Sequence, residues 1–187
     1  MTYIPSLGFP AGPGLPEAEV KAAKKKVHGW GRSQKLKAFG LGANRVATFL
    51  GDFPKAMWRF KSSPSNWCVG EILWHLADQE ANLYLRLRKA VAEPGGLVCA
   101  WDQNKWSSKP GYFKADFNEA LDLLKTLRKA NTAFLKRLPP KAWGNKINHP
   151  EFGLVSLEYQ VNLNIWHVEH HIGQMAKRFA EWEEKKK

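Results

Sequence analysis

Cysteine is scarce in this chain: Cys68 and Cys99 are the two among 187 residues. They have no CxxC spacing and are too few for a disulfide framework, so each reads as a small packing residue rather than a nucleophile. Long apolar runs are missing as well, and none approaches the ~20 residues that span a bilayer. The start, Met1-Thr2-Tyr3-Ile4-Pro5, has neither the basic opening nor the apolar segment of a signal peptide. No membrane association is expected, and a cytoplasmic location is. No internal repeat and no convincing strand alternation is visible. Acidic residues are outnumbered, 17 against 29 Lys and Arg, for a net charge of +12. Much of that charge is local: Lys21, Lys24, Lys25, Lys26, Arg32, Lys35 and Lys37 crowd one segment and Lys185 to Lys187 end the chain. A solvated basic face accounts for it, with contact to an anionic surface or nucleic acid as the alternative.

What is present is helical. At 44% hydrophobic the chain is long enough for one domain with a proper core. Residues 1 to 16 carry Pro5, Pro10, Pro13 and Pro16 among Gly8, Gly12 and Gly14, a composition for an extended arm. We divide the chain into this arm with its basic segment, 1–32, and a helical domain, 33–187. The first helix is expected from Gln34 to Leu50, with Gly40 and Gly42 weakening its middle, then a short helical turn over Lys55 to Phe60. The second follows Ser63-Pro64-Ser65-Asn66 and carries Val69, Ile72, Leu73, Leu76, Leu83, Leu85 and Leu87 to Val91, before Pro94-Gly95-Gly96. Leu97 to Phe113 reads as a long loop. Asp116 opens the third helix, with Glu119 in position to complete a capping box. Pro139-Pro140 stops it, His149 to Gly153 reads as a turn, and Ser156 caps a fourth helix reaching Trp182. The order argues an all-α four-helix bundle.

The chemistry sits on the second and fourth helices. His167 and His171, four residues apart, project from one helical face and can share a metal ion if a third ligand arrives from elsewhere. His75 can supply it. Glu71, His75 and Asp78 form one unusually polar stripe, and Asn164, His167, His171 and Gln174 another. A metal with three imidazole ligands keeps a position open for water or substrate, as catalytic zinc does. Glu71, Asp78, Asn164 and Gln174 are the candidates to orient the ligands. The competing reading is a set of hydrogen-bonded histidines at an accidental spacing. His28 and His149 fall outside the expected helices and receive no role, and His170 is turned away from His171. Trp101 and Trp106 could wall a pocket, while Trp74 and Trp166 read as packing residues.

The run Phe53-Pro54-Lys55-Ala56-Met57-Trp58, then Trp67 and Glu71-Ile72-Leu73-Trp74-His75-Leu76-Ala77-Asp78, resembles the DinB-like (DinB/YfiT-like) superfamily of four-helix metalloproteins. Asp102-Gln103-Asn104-Lys105-Trp106, His149-Pro150-Glu151-Phe152-Gly153 and His167 to Met175 resemble it too, so the match extends over roughly residues 34 to 180. The resemblance implies a three-histidine site of His75, His167 and His171. It implies one divalent ion, zinc or nickel first, with iron or manganese as alternatives. Related activities are thiol S-transfer with a low-molecular-weight thiol as co-substrate, thiol-dependent isomerisation, and hydrolase-like chemistry. The resemblance names no catalytic residue. Cys68 stands where many relatives have a Ser or Thr helix cap. A small-molecule substrate is expected, a homodimer is compatible, and no specific nucleic-acid binding is expected, since no helix-turn-helix or zinc-finger pattern is present. A non-catalytic metal-binding or ligand-binding bundle is the alternative function, and a basic adaptor a third.

Overall fold

Leucine, isoleucine and valine recur along the chain at helical spacing, and the helices follow them. The computed structural model describes residues 17–186 except residue 110, so the Pro/Gly-rich arm lies outside the described residues. The lysine-rich stretch is helical, α1 (Glu17–His28), and packs on the last helix. Next come α2 (Arg32–Gly51) and a 3-10 turn at Lys55–Arg59. α3 (Val69–Ala92) is the first wall of the site. The expected loop beyond it contains a short helix, α4 (Gln103–Ser108), and a 3-10 turn at Tyr112–Lys114. The bundle is completed by α5 (Phe117–Arg137) and α6 (Leu157–Glu184). Among the described residues no helix is long and apolar enough to cross a membrane.

Several local expectations are corrected. Between α5 and α6 the chain forms an antiparallel hairpin, β1 (Lys146–His149) and β2 (Gly153–Ser156), pairing Lys146 with Ser156 and His149 with Gly153. Neither Lys146-Ile147-Asn148-His149 nor Gly153-Leu154-Val155-Ser156 alternates apolar and polar residues, so the period-two signal of a strand is missing from the sequence. At the start of α5 Asp116 accepts from Asn118 N at 2.8 Å and from the Asn118 side chain at 2.9 Å, so the carboxylate caps the helix as expected but without the returning bond to Glu119. Lys35 is not part of a solvated face: it is 2% exposed and donates to His28 O at 2.9 Å and Glu158 at 2.6 Å. It thereby ties the end of α1, the start of α2 and the start of α6 together. His28 is the last residue of α1 and contacts Asn162 at 3.1 Å.

The core has two apolar halves. Phe39, Leu83, Leu87, Leu135, Leu157 and Val161 build one, with Ile147 of the hairpin. Val46, Ile72, Leu73, Leu124, Val168 and Ile172 build the other. Each such fully buried side chain contributes roughly 1.5–3 kcal/mol through lost water contact. All four long helices change from one half to the other at a layer of buried charge. There Glu80 pairs with Arg128 at 2.5 Å and accepts from Asn131 at 2.8 Å, and Arg45 pairs with Glu169. Gly42 in α2 faces Arg128 so closely that a Cβ would lie 3.3 Å from its guanidinium. The glycine that weakens the helix in sequence is what admits that side chain.

Candidate metal centre

His75 is carried by α3, and His167 and His171 by successive turns of α6, so two rigid helices place all three rings. Their ligand nitrogens all lie within 4.8 Å of one another. His167 Nε2 is 3.2 Å from His75 Nε2 and 3.1 Å from His171 Nε2. Two nitrogens bound tetrahedrally at 2.0–2.1 Å from one ion stand about 3.3 Å apart, so the spacing suits a shared cation.

The proton inventory argues the same way. His171 Nδ1 donates to Gln174 Oε1 at 2.8 Å, because an amide oxygen only accepts. The His171 Nε2 lone pair therefore faces His167. Its short contact to His167 requires a proton on His167 Nε2, and that one proton cannot also serve His75 well. A neutral triad thus makes one good hydrogen bond across two short contacts, whereas a cation would use all three lone pairs.

Burial supplies the neutral form. It pushes the His75 imidazole down to about 4, helped by the charge of His170. It holds His167 and His171 well below the usual histidine range, with repulsion among the neighbouring imidazoles adding to it. Rings that refuse protons keep lone pairs for a metal. The His75 ring is flanked by Trp101, 5.4 Å between centroids and 22° between planes, and by Trp67 at 5.0 Å. Asp102 caps α4 by accepting from Asn104 N at 3.0 Å and Lys105 N at 3.1 Å, which fixes the backbone next to Trp101.

The expected supporting residues divide. Gln174 touches a triad member. Asn164 accepts from Gln79 at 3.3 Å and donates to Gln160 O at 2.8 Å, cross-linking α3 to α6 beside the triad. Asp78 accepts from the Tyr112 hydroxyl; burial raises the Asp78 carboxyl and pushes the Tyr112 phenol up, the carboxylate adding to the latter. Glu71 serves the helix start instead, accepting from Cys68 N at 2.8 Å and pairing with Lys61 at 2.8 Å. Cys68 is fully buried, and burial raises its thiol to about 11, the state of a packing residue. His170 stacks on Trp166 at 5.0 Å.

Two cavities meet at the triad. The larger, about 760 Å³, is lined by His75, His167, Trp101, Trp166, Gln79, Arg86, His149, Glu151 and Phe152, with Lys24 also on it. The smaller, about 440 Å³, touches His167, His171, Gln174, Trp67 and Trp166. Trp106 lines neither; it meets Trp101 edge-on at 5.1 Å and supports it from behind. Trp166, read as packing, is a wall of both. His149 and Arg86 went unassigned in sequence. Arg86 lies on the same helical stripe as His75, a signal that was legible. His149 joins the cavity only through the hairpin, which no local pattern announces.

Residues 38–175 match the sequence pattern of the DinB superfamily. The chain belongs to the DinB superfamily. The matched stretch of this DinB-superfamily bundle holds all three histidines. The chain is 30% identical over 111 residues to the Bacillus subtilis protein named "Putative metal-dependent hydrolase YfiT", covering 59% of this chain and 62% of that protein. It is 28% identical over 110 residues to a protein of Oceanobacillus iheyensis with the same kind of name, covering 59% and 63%. It therefore spans somewhat under two thirds of the length of these relatives. The solved structure of Bacillus subtilis YfiT, described as a probable metal-dependent hydrolase with an unusual four-helix bundle topology, superposes with a TM-score of 0.74. That superposition covers 94% of each chain at 19% identity, and it establishes the shared fold.

Proposed function

We propose that this protein is a metal-dependent enzyme: the Nε2 atoms of His75, His167 and His171 hold one divalent ion, and a small molecule reacts in the larger cavity. The convergence of three neutral imidazoles on one point, with protons enough for one good hydrogen bond, carries the reading. An ion bound there would act as a Lewis acid and lower the pKa of water or a thiol at its open position. Zinc or nickel suits the all-imidazole donor set. Gln174 keeps the proton of His171 on Nδ1, fixing ring and tautomer. Trp101 and Trp67 shield the faces of His75 from water. The Gln79–Asn164 bond holds the two ligand-bearing helices in register.

Hydrolysis is the reaction class supported by the names of the relatives. Transfer of a low-molecular-weight thiol is the second class the same site could serve, and a cytoplasmic setting would keep such a thiol reduced. The test is elemental analysis of tag-free wild type and His171→Ala, followed by hydrolysis and thiol-transfer screens on loaded and chelated protein. Near-stoichiometric metal in wild type, its loss in the variant, and turnover that follows metal content are expected. Metal without any metal-dependent turnover would leave a non-catalytic metal-binding bundle. Wild type that takes up no divalent ion would overturn the reading altogether.

A further inference from the structure

Four cationic side chains are buried among the described residues: Lys35, Arg86, Arg128 and Arg178. Lys35 pairs with Glu158, Arg128 with Glu80 and Arg178 with Glu181. Arg86, 5% exposed, has no carboxylate within ion-pair distance among the described residues. Its Nη2 donates to Cys99 O at 3.2 Å, which satisfies one donor of five, and Glu151 offsets its charge only from beyond ion-pair distance. A buried cation without a partner is costly, and this one lines the larger cavity.

Its position is specific. Arg86 lies three turns beyond His75 on the same face of α3, roughly 16 Å between Cα atoms at 1.5 Å per residue. His149, 4% exposed, lines the same cavity. Its Nδ1 accepts from Glu151 N at 3.2 Å, so the neutral ring carries its proton on Nε2. Phe152 stacks on it at 4.7 Å, and Trp101 and Trp166 complete aromatic walls toward the triad. Lys24, exposed, stands 4.4 Å from the Trp166 ring centre and adds positive charge nearby. Glu151 is exposed and opposes, its charge acting on both Arg86 and His149.

We infer that the cavity takes an elongated organic anion, whose carboxylate or phosphate pairs with Arg86 beside His149 while its body lies on the aromatic walls and its other end reaches His75 and His167. The anion site stands on Arg86 and its surroundings; only the role of the far end rests on the function proposed above. The guanidinium fork matches either oxyanion, and a cavity of about 760 Å³ lined by both Arg86 and His75 has room for a molecule rather than a bare ion.

The experiment is calorimetric titration with three probes: phenylbutyrate, phenylpropyl phosphate and the neutral phenylbutyramide. Wild type should bind at least one anionic probe about tenfold or more tightly than the amide. The tighter of the two anions identifies the headgroup. Arg86→Met should abolish the preference, His171→Ala should keep it, and Glu151→Gln should strengthen it about two- to fivefold by removing the opposing charge. Equal binding of amide and anions overturns the inference. So does a preference that survives Arg86→Met, or one lost in His171→Ala and kept in Arg86→Met, which would put the anion on the metal. Should Arg86→Met fail to fold, the exposed Glu151→Gln decides, and no tightening overturns the inference. An Arg86-dependent preference in a protein that takes up no metal would support the anion site and sink the metal reading alone.

Discussion

At the scale of the residue, His75 shows how one physical effect serves two ends. Burial that costs stability also keeps the imidazole unprotonated, and an unprotonated imidazole is a ligand. The sign of its pH dependence follows. Above about 6.5 the ring is neutral in both folded and unfolded chains and contributes nothing. Between that value and about 4 the unfolded ring takes a proton that the folded one refuses, so the metal-free protein loses stability as pH falls through this window. His75 alone accounts for up to about 3 kcal/mol, and His167 and His171 shift in the same direction. Urea melts of chelated protein between about pH 7 and pH 4.5 should show this loss, and His75→Gln should flatten it. A slope unchanged by the substitution would contradict the assignment. The same scale explains why Glu71, on the histidine stripe in sequence, is not at the triad: a carboxylate at the first turn of a helix is drawn to the free backbone N–H groups there.

At the scale of the element, helix faces were legible and close approaches were not. The apolar spacing on α3, α5 and α6 is a local property of the chain. The contact of Gly70 with Phe117 is not: it brings the first turn of α3 against the start of α5 so tightly that a Cβ at Gly70 would overlap the Phe117 ring. Gly70→Ala should therefore destabilise the bundle by about 1–3 kcal/mol through overpacking. Adding Phe117→Leu should recover part of that loss, a coupling a double-mutant cycle would measure. Additive effects of the two substitutions would show that α3 and α5 do not meet there. The hairpin belongs to this scale too, since it brings His149 and Phe152 to a cavity whose other walls come from helices and the segment around Trp101.

At the scale of the whole molecule, the layer of charge between the two apolar halves is what the four long helices share. Glu80 is fully buried and Arg128 is 3% exposed, so neutralising one partner leaves the other charged in a low-dielectric interior. Glu80→Gln should cost about 3–5 kcal/mol. In a chain of this size that is a fall of roughly 6–20 °C in melting temperature by calorimetry. A melting point unchanged from wild type would mean that the layer is solvated.

The sequence by itself determined the helical bundle and the polar stripes on α3 and α6, because residue spacing along a helix sets which side chains share a face. The pairing of those stripes across about ninety residues follows from two polar faces that share one bundle interior, and the resemblance strengthens it. Only the tertiary structure decided that three Nε2 atoms converge, that Trp166 walls both cavities, that Lys35 is buried, and that Arg86, among the described residues, lacks the ion-pair partner the other buried Lys and Arg side chains have. These are contacts between distant segments, and they depend on how helices pack rather than on the order of residues within any one of them.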